Sequence, residues 1–136
     1  MLPSAEIIGV VCPLFVPIVE EGWENSDVAY MTAKKYLLEL KEHNIDSLVL
    51  GCTHYPVLRY TIDKVLEGKV TLVNPAYETA KAVKALLKEN NLLSSKLDGG
   101  VQRFYVSDDP EKFKRIGGNI LRTEIVSIEK VDIEKM

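Results

Sequence analysis

The chain has 136 residues and a formal net charge of −3, with 46% hydrophobic and 27% charged residues. That length suits one domain of ordinary size with a real core, and that balance excludes a disordered polymer. Acids and bases interleave without a basic block, which argues against nucleic acid or an anionic membrane as partner.

Ile7 to Val11 is a compact β-branched run and reads as a buried strand. The segment Cys12 to Trp23 follows, CPLFVPIVEEGW, in which two prolines precede the adjacent acids Glu20 and Glu21; it resembles an active-site loop leaving a sheet. Asn25-Ser26-Asp27 supplies N-cap chemistry, and Tyr30, Ala33, Leu37 and Leu40 recur at helical spacing, so a helix is expected to end near His43-Asn44. Ser47 to Leu50 reads as the next strand. Pro56 then opens a helix with Leu58, Ile62, Val65 and Leu66 on its buried stripe and Gly68 at its cap. A third strand is expected over Val70 to Val73, and Asn74-Pro75 starts a helix that buries Ala76, Ala80, Val83 and Leu87. Ser94 to Gly100 is the one long loop. Arg103 to Ser107 reads as strand, Asp109-Pro110 as a helix start and Ile125 to Val131 as a last strand. This alternation predicts an α/β fold with a mainly parallel sheet flanked by helices.

The longest apolar segment, Ile7 to Val19, is too short to span a bilayer and is broken by Pro13 and Pro17. Glu6 and the lack of Lys or Arg ahead of it argue against a signal peptide. A cytoplasmic protein is expected, with Cys12 and Cys52 reduced and no disulfide demanded.

Chemistry concentrates in LVLGCTHYP, Leu48 to Pro56, where an apolar strand hands over to Cys-Thr-His. Cys52 falls just past the carboxyl end of a strand and before a helix, the place where open α/β sheets bind ligands. A helix N-terminus there favours negative charge, whether a substrate carboxylate or a thiolate. Core packing of Cys52 explains Thr53 and His54 poorly, since both are polar groups at the mouth of an apolar strand. A metal site is weaker still: Cys52 and His54 offer two ligands, while Cys12 and His43 lie on other elements without ligand spacing. Two roles remain for the thiol, a nucleophile forming a covalent intermediate as in thiol hydrolases and an acid–base catalyst at carbon. Spacing does not choose between them. Taken alone, Glu20-Glu21-Gly22 reads more readily as a solvated turn than as a support for a protonated histidine. Cys12, flanked by Val10, Val11, Pro13, Leu14 and Phe15, reads as core.

GCTHYP at Gly51 to Pro56, taken with CPLFVPIVEEG at Cys12 to Gly22, resembles glutamate racemase. FYVSDDPEKFKRIGGNIL, Phe104 to Leu121, and IEKV, Ile128 to Val131, extend the likeness over essentially the whole chain. His54 separates the motif from related aspartate racemases, which typically carry Glu there. The resemblance implies cofactor-independent interconversion of L- and D-glutamate for bacterial peptidoglycan, with no PLP and none of its absorbance in pure protein. It implies two cysteines on opposite faces of the substrate α-carbon. Cys52 would be one of them, Thr53 and His54 would contact substrate, His54 would assist proton transfer, and Glu20 would support His54. It also implies a two-lobe fold, in which residues 1–73 belong to the second lobe and residues 74–136 return to complete the first. The family's Asp-Ser-Gly and Cys-Asn-Thr-Ala motifs, which carry the other cysteine, are absent from this sequence. The chain therefore matches the carboxyl-terminal half, and self-association or a complementary amino-terminal half is expected to cover its apolar surface. A non-catalytic assembly module stays open as an alternative to the enzyme half, as does a thiol hydrolase with Cys52 as nucleophile.

Overall fold

The structure, a computed structural model, describes residues 4–96 and 99–135. The chain divides into two units, one running to Ala85 and one starting at Leu86.

In the first unit β1 (Ser47–Val49) and β2 (Thr71–Val73) form a parallel pair with Leu48 opposite Leu72. The pairing extends at both ends, where Thr71 N–H donates to Asp46 O and Leu50 N–H to Val73 O, each at 2.9 Å. Helices α1 (Phe15–Glu20), α2 (Asp27–Leu37) and α3 (Arg59–Val65) accompany the pair. Their buried stripes and the strands share one core built on Phe15, Ile18, Ala33, Leu50, Leu58 and Ile62, with Leu48 and Leu72 packed against it. Ala29 and Ala33 have no exposed surface, so α2 presents its smallest side chains to the core.

Local chemistry explains where the elements start and stop. The Ser26 hydroxyl accepts from Ala29 N–H and caps α2, as its sequence signature demands. After Leu37 the helix tightens into a 3₁₀ turn over Glu39–Lys41, and the chain leaves through Asn44 at φ 49°, near the expected end. The expected helix at Pro56 begins as a 3₁₀ turn, Tyr55–Leu58, and becomes α3 at Arg59. Leu58, Ile62, Val65 and Leu66 are all buried, as the stripe predicts. The cap of α3 is a six-residue closure in which Gly68 N–H reaches Asp63 O at 3.1 Å. Its first left-handed residue is Glu67, at φ 59°, with Gly68 following at 66°.

Two expectations fail near the start of this unit. Ile7 to Val11 forms no strand: Ile7 is 90% exposed and Val11 83%, and β1 pairs only with β2 among the described residues. β-branched residues fit a pleated surface but supply no neighbouring edge to bond to. The loop expected between Cys12 and Trp23 is instead helical over Phe15–Glu20. Pro17 is no obstacle, because it sits in the first turn, where backbone N–H groups have no intrahelical acceptor.

Helix α4 (Pro75–Glu89) begins where expected, with the Asn74 side chain accepting from Ala76 N–H at 3.1 Å. It buries no residue: Ala76, Ala80 and Val83 are exposed and Leu87 is only half-buried. The expected buried face is a stripe without a partner among the described residues, and helical period reports amphipathicity rather than the presence of a covering layer.

The second unit has one β-α-β turn. Parallel strands β3 (Phe104–Val106) and β4 (Ile128–Lys130) flank α5 (Pro110–Leu121), whose start Asp109 caps by accepting from Glu111 and Lys112 N–H groups. The last strand is shorter than the expected Ile125 to Val131. Ile125 precedes it as a buried plug, 2% exposed. Of the loop expected over Ser94 to Gly100, Leu97 and Asp98 lie outside the described residues, and the rest has no regular structure.

Candidate active site

The turn after β1 is tight. Gly51 N–H donates to Val49 O at 3.0 Å and Cys52 N–H to Leu50 O at 2.9 Å, so the chain reverses as soon as the strand ends. Cys52 is thereby held half-buried just past the carboxyl end of the strand, with a free thiol. The element after it is the short 3₁₀ turn at Tyr55, and its N-cap His54 makes no side-chain capping bond. Polar side chains gather at the turn.

Those side chains belong to two elements. The Thr53 Oγ1 lies 3.1 Å from His54 Nδ1. The opposite ring nitrogen, Nε2, faces Glu20 Oε1 at 3.7 Å, with the two side chains 24% and 31% exposed. When Thr53 donates its hydroxyl proton to Nδ1, Nε2 is the nitrogen that carries hydrogen and presents it to the carboxylate. Glu20 is the last residue of α1, so that short helix delivers an acid to the histidine from a distant part of the chain. Thr53, His54 and Glu20 form a row beginning one residue from the thiol. A row of this kind can hold or relay a proton. Among the described residues no cluster of three or more His, Cys, Asp or Glu side chains is placed to hold a metal.

Cys12 is elsewhere in kind. It is 3% exposed within the core, and burial pushes its thiol above the ordinary 9.0, so it is a protonated packing group as the sequence indicates. Two residues that sequence reasoning passed over hold the site together. The Tyr55 hydroxyl donates to the Cys12 carbonyl at 3.3 Å, and the Tyr55 ring meets Phe15 edge-on at 5.3 Å. Burial raises the pKa of that phenol too, which keeps it a donor. The buried Thr61 hydroxyl donates to the Glu24 carbonyl at 2.7 Å and ties α3 to the segment after α1. Neither contact has a sequence signal, because both join residues far apart in the chain.

Two open depressions lie on the second unit, one along Lys114, Arg115, Gly118 and Arg122 and one beside Ser107 and Lys130. Neither is bordered by Cys52, His54 or Glu20.

Fold and site together define a class: an α/β protein with a cysteine–threonine–histidine turn at a strand's carboxyl end and a carboxylate behind the histidine. Known proteins that resemble this chain are of one kind. The chain is 41% identical over 132 residues to a glutamate racemase of Geobacter metallireducens, spanning 97% of this chain and 49% of the relative. A glutamate racemase of Thermoanaerobacter pseudethanolicus is 42% identical over 132 residues, with 50% of its length covered. Among solved structures, glutamate racemase of Francisella tularensis in complex with D-glutamate matches with a TM-score of 0.88 and 37% identity, over 99% of this chain and 50% of that one. A glutamate racemase isoform of Bacillus anthracis matches with a TM-score of 0.86 and 32% identity, over 96% and 48%. No protein-family profile matches. The chain is similar to these glutamate racemases over nearly its whole length and spans about half the length of the relatives it matches.

Proposed function

We propose that this chain supplies one face of a cofactor-independent glutamate racemase site, with Cys52 as the acid–base on that face. The observation that carries the reading is the GCTHYP turn itself, which holds Cys52 past the end of β1 with His54 3.7 Å from the Glu20 carboxylate. Homology at 41% identity to a glutamate racemase and the likeness to a structure in complex with D-glutamate support the substrate. In one direction the Cys52 thiolate takes the α-proton of glutamate, forming S–H and leaving the electron pair on the α-carbon. A thiol on the opposite face then gives its proton to that carbon and becomes thiolate, so configuration inverts and one proton leaves as one arrives. His54, backed by Glu20, assists proton movement at Cys52, and Thr53 contacts substrate.

Cys12, 3% exposed in the core, does not offer that second thiol to a substrate at the surface. A complementary amino-terminal half would carry it. On this reading residues 1–73 belong to one lobe and residues 74–136 complete the other. The product, D-glutamate, would feed peptidoglycan synthesis.

The test is α-proton exchange of D- and L-glutamate in D₂O, followed by NMR, for the chain alone and mixed with a polypeptide matching the other half of a relative. We expect no exchange alone, and exchange with inversion in the mixture that Cys52→Ser abolishes. Inversion that survives Cys52→Ser would overturn the assignment. Exchange by the chain alone would return Cys12, or a cysteine of a second copy, to the chemistry.

A further inference from the structure

Glu20 and His54 sit on separate elements, and each is only one short segment away from the same aromatic contact. Phe15 opens α1 and Glu20 ends it. Tyr55 opens the 3₁₀ turn, and His54 is the residue before it. Phe15, 1% exposed, meets Tyr55 edge-on at 5.3 Å with the rings at 86°, and meets Tyr36 on α2 at 5.5 Å and 71°. The Cys12 carbonyl that accepts the Tyr55 hydroxyl also accepts the Phe15 N–H at 3.1 Å, the bond that turns the chain into α1. The ring and hydroxyl of Tyr55 therefore grip the start of α1 at two points. A six-residue helix is about 9 Å long at 1.5 Å per residue, so a small rotation at its first turn displaces the carboxylate at its last.

We propose that Tyr55 is a positioning residue, whose hydroxyl and ring fix α1 against the GCTHYP turn and so hold Glu20 opposite His54. This rests on the proton-transfer reading of His54 but is measured without it. Tyr36 provides the control, because its ring also meets Phe15 edge-on but from α2, a different element from the one His54 precedes.

The experiment follows the His54 ring ¹H–¹³C resonances in the chain as it stands. There are two histidines, His43 and His54, so His43→Gln assigns the spectrum. Resonances are compared for the parent chain, Glu20→Gln, Tyr55→Phe and the double variant, at one pH. We expect Glu20→Gln to move the His54 signals in the parent, and to move them less than half as far in the Tyr55→Phe background. In Tyr36→Phe the full displacement should remain. Equal displacement in parent and Tyr55→Phe overturns the proposal, as does an equal loss in Tyr36→Phe, which would make the effect one of general packing. If Glu20→Gln leaves His54 unmoved in the parent, the pair and its positioning both fall, while inversion dependent on Cys52 stands or falls separately on the exchange assay. Should Tyr55→Phe melt the chain, Tyr55→Trp keeps a ring donor on Phe15, and it should restore the Glu20-dependent displacement.

Discussion

The division of labour between the two cysteines predicts a large difference in their reactivity toward iodoacetamide. Cys52 is half-buried at the surface and can be reached without unfolding, whereas Cys12 is 3% exposed in the core of the first unit. Alkylating Cys12 requires an opening of that core. Domains are stable by roughly 0.05–0.15 kcal/mol per residue, which for a unit of this size gives about 4–13 kcal/mol. Taking only about 4 kcal/mol for the opening, at about 1.4 kcal/mol per tenfold, Cys12 is protected roughly 10³-fold. Burial lowers its thiolate fraction in the same direction. The assay is timed alkylation at pH 7.5, quenched and read peptide by peptide by mass spectrometry. Modification of Cys12 within tenfold of the rate at Cys52 would refute the core assignment. The same burial has a stability consequence whose sign is fixed. The folded pKa of Cys12 lies above the unfolded value near 9.0, so the unfolded chain releases the proton first. Its contribution is fully present below pH 9 and is lost as the pH rises from there through the folded pKa. Cys12→Ala should remove that alkaline slope in urea titrations.

Removing the buried hydroxyl with Thr61→Val leaves the Glu24 carbonyl without its 2.7 Å donor; we expect a loss of about 1–2 kcal/mol in urea unfolding. Glu67, bridged by Lys41 and Lys69, has its carboxyl lowered to about 2 from an ordinary 4.5. Its stabilising effect is present above the unfolded value and is lost as the pH falls toward 2. Lys41→Met should raise the Glu67 midpoint seen by NMR, and an unchanged midpoint would mean the bridge is not formed in solution. A Cβ at Gly117 would lie 2.8 Å from Ile125 Cδ1, the movable end of the buried plug. In Gly117→Ala a helix-propensity gain of about 1 kcal/mol offsets an Ile125 rotamer cost of about 0.5–1.5 kcal/mol. Amide exchange in α5 should stay within about fivefold of the parent, and a hundredfold loss of protection would show that Ile125 cannot yield.

Much of the fold was legible because its signals are local. Ser26, Asn74 and Asp109 each cap the helix their side-chain chemistry announces. Every residue of the stripe after Pro56 is buried because α3 packs against α2 in the core of the same unit. The parallel pairing of β1 with β2 follows from the helix between them. Cys52, Thr53 and His54 were visible for a related reason: polar, reactive groups at the end of an apolar strand are a local contradiction that packing alone leaves unexplained. Glu20 was different. Without the family resemblance its acidic pair reads as a solvated turn, and only the folding of Phe15–Glu20 into α1 brings the carboxylate to His54.

Two of the expectations that failed share one cause. Ile7 to Val11 and the stripe of α4 were read from hydrophobic pattern, which records what a segment is suited to bury. Whether it buries anything depends on a second surface. For α2 and α3 that surface is the same core, and pattern and burial agree. For α4, Ala76, Ala80 and Val83 stay exposed beside a correctly placed cap. For Ile7 to Val11 no strand lies alongside among the described residues. A helix end needs only its own next three residues, but a strand or a buried stripe needs a neighbour. Relatives twice as long as this chain have further sequence from which such a neighbour could come. The mismatch between pattern and burial thus marks the surfaces that a complementary half, on the proposed reading, would cover. If it does, adding that half should slow amide exchange along α4, whose backbone bonds now lie at the surface, while leaving the already buried α3 unchanged.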